Sequence, residues 1–241
     1  MKGIWHYMER DLVKWARGRV AVITLLVMPA AWLIFVGLAL PVRFTGNYLD
    51  FITPGILVMT MLASSLQGGS LLMFDKILGF LNKFLALPSP RENILFGKIL
   101  FITIRGVIQA TVILLIAILI GATILSPIQY GMIFVILILF GILFSGLATT
   151  IALYVEDHDS YAAINTLISM PLFFMSSALM PYSVMPSWMR SIAMVNPLSF
   201  AIDAIRSVGM GEIPLMHMGL LFVAGSVILV ICVRVFRNMT V

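Results

Sequence analysis

The chain has 241 residues, of which 61% are hydrophobic and only 10% charged, against about 25% charged in an ordinary soluble domain, which argues against a soluble enzyme and for an integral membrane protein. The net charge of +5 comes from 15 Lys and Arg against 10 Asp and Glu, too few to tile a phosphate-binding face, so nucleic acid is not an expected partner. Cys232 stands alone and His6, His158 and His217 are far apart, which excludes an internal disulfide or a Cys-rich metal site.

In chain order, residues 1–19 place Trp5, Met8, Leu12 and Trp15 on one helical stripe with Arg10, Lys14 and Arg17 on the wet side. That is an interfacial amphipathic helix, serving either as an anchor that positions the first span or as a contact for a cytoplasmic partner. Crossing about 30 Å of hydrocarbon takes about 20 apolar residues in a helix, and six runs qualify, at about 20–40, 51–73, 99–125, 130–154, 161–180 and 218–235. Each must be a helix, because lipid offers no partner to free backbone groups. The first run is long and is preceded by a mixed-charge segment, so a span is expected there rather than a cleaved signal. The second carries Ser64, Ser65, Gln67, Gly68, Gly69 and Ser70, residues that either line a pathway or pack membrane helices closely.

Residues 74–98 are too polar for membrane and too apolar for a solvated link, with Ile77, Leu81 and Leu85 at i, i+4 and i+8 before Pro88 and Pro90. This is either a docking surface or a short helix lying on the bilayer. Arg105 enters the third span near its start, where it is expected to snorkel. Residues 126–129 join the third and fourth spans as a tight hairpin. Glu156, Asp157, His158, Asp159 and Ser160 crowd the next turn; they suit a solvated turn better than a ligand set, with Asp159 or Ser160 as N-cap of the fifth span. That span holds Asn165, Thr166, Ser169, Met170, Met175, Ser176 and Ser177. Residues 181–217 read apolar but are cut by Pro186, Pro197 and Pro214 into pieces of about ten residues, about 15 Å of helix and half a bilayer. Two short re-entrant helices are expected, one striped by Trp188, Ile192 and Val195, the other by Ala201, Ile202, Ile205 and Val208 with Ser199 as its N-cap. Asp203 and Arg206, at i and i+3, can pair.

Of the Lys and Arg residues, eleven (Lys2, Arg10, Lys14, Arg17, Arg19, Lys76, Lys83, Arg91, Lys98, Arg234 and Arg237) fall in segments sharing a side with the N-terminus, against three (Arg43, Arg190, Arg206) opposite. Both termini are therefore expected to be cytoplasmic. No G-x-x-x-x-G-K-[ST], G-x-S-x-G or H-E-x-x-H occurs, so neither a nucleotide site nor an intramembrane hydrolase is expected within the chain. The expected midplane carboxylates of a proton- or sodium-coupled carrier are missing as well.

Two stretches carry a family resemblance. Residues 74–98 resemble the cytoplasmic loop of ABC-2 type permeases, roughly F-x-R-E-x-G-T-L-x-x-L-L-x-x-P-x-x-R-x-x-x-L-x-G-K, at Phe74, Gly79, Leu81, Leu85, Pro88, Arg91, Leu95, Gly97 and Lys98. Lys76 replaces the usual Arg, and Ile77 and Phe80 stand where Glu and Thr are common. Residues 171–206 resemble the family's C-terminal signature at Pro171, Phe174, Ser176, Pro181, Pro186, Trp188, Asn196, Pro197, Asp203 and Arg206, with Ser177 in place of Gly.

The resemblance covers nearly the whole chain and implies an all-α integral membrane domain over 1–241: six spans, an N-terminal elbow helix (1–19), a coupling loop (74–98) and outer re-entrant helices (181–217). It implies a permease, not itself an enzyme, that pairs with a second copy, in a homodimer, and rests on two copies of a separate ATP-binding subunit. That subunit would hold ATP and Mg, with no cofactor in this chain. Lys76, Gly79, Leu81, Leu85, Pro88 and Arg91 would belong to the ATPase-coupling loop. Ser64, Ser65, Gln67, Asn165, Thr166, Met170 and Met175 are candidate lining of the substrate path, and Pro181, Pro186, Trp188, Asn196, Pro197, Asp203 and Arg206 would form the outer gate. Membrane lipid surrounds such a chain in the cell membrane. The expected activity is export of a drug-like or lipid-like amphipathic substrate; the near alternative is lipid-linked polysaccharide, and a secondary carrier or channel is the alternative of another class.

Overall fold

The computed structural model describes residues 2–39, 48–80 and 92–238, and all regular structure among them is helical. The elements are α1 (Lys2–Arg17), α2 (Arg19–Ala39), α3 (Tyr48–Ile77), α4 (Glu92–Ile120), α5 (Pro127–Tyr154), α6 (His158–Phe174), a 3-10 turn (Tyr182–Val184), α7 (Ser187–Ala193), α8 (Pro197–Gly209) and α9 (Leu215–Asn238). Among the described residues, α3, α4, α5 and α9 are long and apolar enough to cross a membrane. The α1–α2 pair, bent by 75°, makes a fifth candidate.

The run expected as a fifth span, 161–180, is a helix only to Phe174, and its 17 residues extend about 25 Å at 1.5 Å per residue, short of a full crossing. The chain can leave the helix there because side chains take over the last carbonyls. The Asn196 Nδ2 amide donates to the Leu172 carbonyl at 2.7 Å and to the Met175 carbonyl at 3.0 Å, and the Ser176 hydroxyl donates to the Phe173 carbonyl at 2.6 Å. Carbonyls freed at the end of a helix need such partners.

Two helix starts differ from expectation. The N-cap of α6 is Asp157, whose carboxylate accepts from the Ser160 N–H at 2.7 Å, rather than Asp159 or Ser160; Asp159 lies within the first turn, where a carboxylate still favours the positive helix end. The N-cap of α8 is Asn196, which accepts from the Leu198 N–H at 2.9 Å, with Pro197 at the first helical position. Asn-Pro is itself the start signal, and Ser199 instead accepts from the Ser177 N–H. The connection expected at 126–129 lies earlier: α4 stops at Ile120 rather than running on to 125, with Gly121 at φ +116°, and the link to α5 is 121–126. Ser126 and Gln129 instead form a capping box at the start of α5, each holding the other's backbone N–H.

α3 is the hub, packed by α2, α4, α5, α6 and α8. Its small residues make that possible. A Cβ on Gly68 would strike Ile102, and one on Gly69 would strike the Tyr161 hydroxyl and the Ala148 carbonyl, so α4, α5 and α6 approach α3 at backbone range. Arg105 does not snorkel: it is 2% exposed, and its guanidinium donates to the hydroxyl and the carbonyl of Ser64 on α3. Satisfying the cation inside the bundle removes the reason to reach outward.

Candidate functional site

Three places on this scaffold carry polar chemistry. The first is a groove of about 410 Å³ between α3 and α6. Met59, Leu62, Leu66 and Phe173 form its apolar wall, while Gln67, Asn165 and Thr166 supply neutral polar groups and Met170 a soft thioether. Of the seven residues expected along a pathway, these four (Gln67, Asn165, Thr166, Met170) are brought together. Ser64 and Ser65 are buried in the packing of α3 instead, at 1% and 0% exposure, because they sit on the faces turned to the other helices. Met175 caps the end of α6 and lies away from the groove. Tyr161, unnoticed in the sequence as a functional residue, pins one end of α6: its hydroxyl donates to the Leu66 carbonyl at 2.7 Å, and the Asn165 amide reaches the same carbonyl at 3.4 Å. The rest of α6 is largely open, with Leu167 and Met170 exposed.

The second place joins α6, α8 and the Phe51 end of α3. Asp203 accepts from the Ser177 hydroxyl at 2.7 Å and the Tyr182 hydroxyl at 2.6 Å, and Arg206 lies 3.7 Å from the same carboxylate. Arg206 also donates to the Phe51 carbonyl at 3.0 Å and stacks its guanidinium 3.8 Å from the centre of the Phe51 ring. Burial, with the Asp203 bond second, raises the Tyr182 phenol to about 12, so it stays a hydrogen-bond donor. Burial lowers Arg206 to about 10 against the pull of Asp203, which leaves it a cation at neutral pH. Asn196 and Pro197 start α8, and Pro181 and Pro186 precede the 3-10 turn and α7. The two expected stripes have opposite fates. Ala201, Ile202, Ile205 and Val208 of α8 are buried, whereas Trp188 and Ile192 of α7, and Val195 beyond it, are exposed. Tyr182 had no periodic or charged signal to mark it.

The third place is the root of the loop that succeeds α3. Lys76 donates to the carbonyls of Leu153 at 2.8 Å and Val155 at 3.1 Å, capping the C-terminal end of α5 as a cation should. Gly79 has φ +71° and turns the chain out of α3, a backbone conformation open to glycine. Ile77 and Leu78 are exposed. Leu81, Leu85, Pro88 and Arg91 lie outside the described residues. At the same root, Lys98 of α4 makes ion pairs with Asp11 of α1 at 2.7 Å and with Asp75 of α3 at 2.5 Å. The signal for Asp11 was present: it is three residues from Met8 and four from Trp15, hence on the apolar face of α1, where a carboxylate needs a partner. Trp5 of the same stripe is 60% exposed. In the 156–160 turn, Asp157 caps α6 and His158 stacks on Phe74 at 4.9 Å between ring centres. Among the described residues no three His, Cys, Asp or Glu side chains converge as metal ligands.

Residues 2–210 match the family model described as ABC-2 type transporter. The chain is 34% identical over 208 residues to the ycf38 transport permease of Cyanophora paradoxa, which covers 82% of this chain and 71% of that protein. It is 25% identical over 213 residues to the doxorubicin resistance ABC transporter permease protein DrrC of Mycobacterium tuberculosis, covering 84% and 75%. With the daunorubicin resistance ABC transporter permease protein DrrB1 of Streptomyces coeruleorubidus it shares 26% over 200 residues, covering 80% and 70%.

Proposed function

The chain belongs to the ABC-2 type transporter family, and from that membership we propose that it is the permease of an ATP-driven exporter of an amphipathic substrate, with ATP and Mg bound by a separate ATP-binding subunit. Two permease copies, as a homodimer, and two ATPase copies make the working unit. It sits in the cell membrane with both termini cytoplasmic, α1 lying as an elbow in the interface and α7 and α8 re-entering from outside. Gln67, Asn165, Thr166 and Met170 face the substrate path, and the Asp203–Arg206 region closes its outer end. Lys76 and Gly79 set the root of the coupling loop, whose Leu81, Leu85, Pro88 and Arg91 meet the ATPase.

The observation that carries the reading is the groove between α3 and α6, apolar with neutral amide and hydroxyl groups on one wall, beside a helix whose outer face is left open. Such a surface accepts an amphipathic molecule and completes itself against a second copy. Two relatives are named for doxorubicin and daunorubicin resistance, which makes drugs of that kind the first cargo to assay. The ATPase supplies the energy, and the permease supplies two arrangements whose balance nucleotide shifts.

The test is co-purification from the native membrane and then reconstitution. An ATPase should accompany the chain, and transport should require ATP. A chain that never associates with an ATPase, and moves substrate in response to a proton gradient alone, sinks the reading. Leu85→Asp should abolish coupling while the permease still pairs; normal transport by that variant would remove the docking role of the loop.

A further inference from the structure

The 74–98 segment begins and ends in buried charge. Arg10 pairs with Asp11 at 2.6 Å, Asp11 with Lys98 at 2.7 Å, and Lys98 with Asp75 at 2.5 Å. Side-chain exposure is 5% for Lys98, 7% for Asp11 and 14% for Asp75, while Arg10 at the rim is 41% exposed. The charges alternate, so the inner carboxylate–ammonium–carboxylate triad, one negative charge in excess, is balanced by Arg10 outside it. Gly97 permits the contact: a Cβ there would meet the Tyr7 Cβ at 2.9 Å and the Ile4 carbonyl at 3.1 Å, so α1 lies directly on α4 beside Lys98. One residue before Lys76, which holds the end of α5, Asp75 brings α3 to the same point.

A buried ion pair is weak grounds for net stability, because desolvation offsets most of the attraction; its better-attested use is to fix which arrangement of elements is adopted. Here the arrangement fixed is the spacing of three helices around a loop. We propose that Lys98 is a positioning residue for energy coupling: its ammonium, shared by Asp11 and Asp75, joins α1, α3 and α4 into one rigid platform where segment 78–91 leaves and rejoins the helices, so that a push on the segment moves the helices together. The proposal rests on the exporter reading for what pushes the loop, but the platform itself is independent of it.

Two measurements on the full-length permease separate those claims. Spin labels at the exposed Val13 and Leu78 should give one narrow distance population in the otherwise native chain and a broadened one in Lys98→Met. Because Lys98→Met takes the ammonium from Asp75 and leaves Asp11 only Arg10, and the protein has reason to misfold, the neutral set D11N/D75N/K98M is measured alongside; it leaves none of the three inner positions charged, with Arg10 at the exposed rim, and should broaden likewise. In the reconstituted complex with its ATPase, substrate moved per ATP should fall about tenfold in the neutral set, the scale on which residues along a coupling route act, and K98R should keep most of the ratio. An unchanged distance distribution in both Lys98→Met and the neutral set, a native ratio in the set, or a K98R protein as uncoupled as K98M would overturn the assignment. If no ATPase accompanies the chain, the exporter reading fails and the distances alone decide whether the platform exists.

Discussion

At the Asp75 end of α3 an ammonium, Lys98, joins two carboxylates, Asp11 and Asp75, whereas at the Phe51 end amides and hydroxyls meet backbone carbonyls and the Asp203 carboxylate, with Arg206 beside it. The difference arises from what the backbone does at each end. Around Lys98 the α1 and α4 helices, unbroken there, pass the last turn of α3, so side chains join them, and opposite charges do so without demanding a fixed direction. Around Asn196 the helices break: α6 stops, α7 is seven residues long and α8 begins. Each break frees carbonyls and N–H groups that need partners outside the helix. Asn196 answers two carbonyls and one N–H at once, which an ion could not. One end is a joint between the flanks of packed helices and the other is a repair of helix ends.

Substitutions should separate the two. The largest effect is expected from Lys98→Met, about 3–5 kcal/mol of destabilisation, because removing the shared cation takes Asp75's ion-pair partner and leaves Asp11 only Arg10; the neutral set D11N/D75N/K98M should recover most of it, as a joint made of charges can be replaced as a whole. At the other end no such recovery is available. Asn196→Leu should cost about 2–3 kcal/mol, through a lost N-cap and two stranded carbonyls, and Asn196→Asp should recover only the cap, since a carboxylate cannot donate to Leu172 and Met175. Gly69→Ala should cost about 1–3 kcal/mol by forcing Tyr161 off α3, loosening the pinned end of α6. Tyr182→Phe should cost about 1 kcal/mol, because Asp203 keeps Ser177 and Arg206. Thermal or denaturant midpoints in detergent rank all four; a neutral set as unstable as Lys98→Met, or an Asn196→Asp protein as stable as the native chain, would erase the distinction.

Apolar length and punctuation made most of the helices legible: run length and Pro spacing account for the long helices α3, α4, α5 and α9 and the proline-cut region, while the turn between α4 and α5 falls at 121–126 rather than 126–129. Partnership could not be read. Six runs of similar hydropathy say nothing of which ends early, and α6 stops at Phe174 because Asn196, more than twenty residues on, takes its carbonyls. Two stripes of equal spacing on α7 and α8 gave no sign that only the second finds a core. Ser64 and Gln67 are three residues apart on one helix, yet one bonds Arg105 and the other opens on the groove, a difference fixed by where α4 and α6 lie around α3. Asp11 was legible as an anomaly on an apolar face, but Lys98 as its partner needed the fold.

The smallest effect sharpens the same contrast at the 156–160 turn, where a charge performs a repair. The Ser160 backbone N–H, and after it the Ser160 hydroxyl, hold the Asp157 carboxyl below its ordinary value. A carboxyl lowered on folding stabilises the helix start at pH above its unfolded value, about 3.9, and that contribution disappears as pH falls through the lower folded value. Protection of the Ser160 and Tyr161 amides, taken relative to their intrinsic exchange rates at each pH, should therefore be full at neutral pH and fall below about pH 4 in the native chain but not in Asp157→Asn, whose amide oxygen caps at every pH. Asp157→Ala should exchange faster throughout. Equal acid sensitivity in the native chain and Asp157→Asn would place the titrating group elsewhere and make this cap, like that of α8, a matter of hydrogen bonding rather than charge.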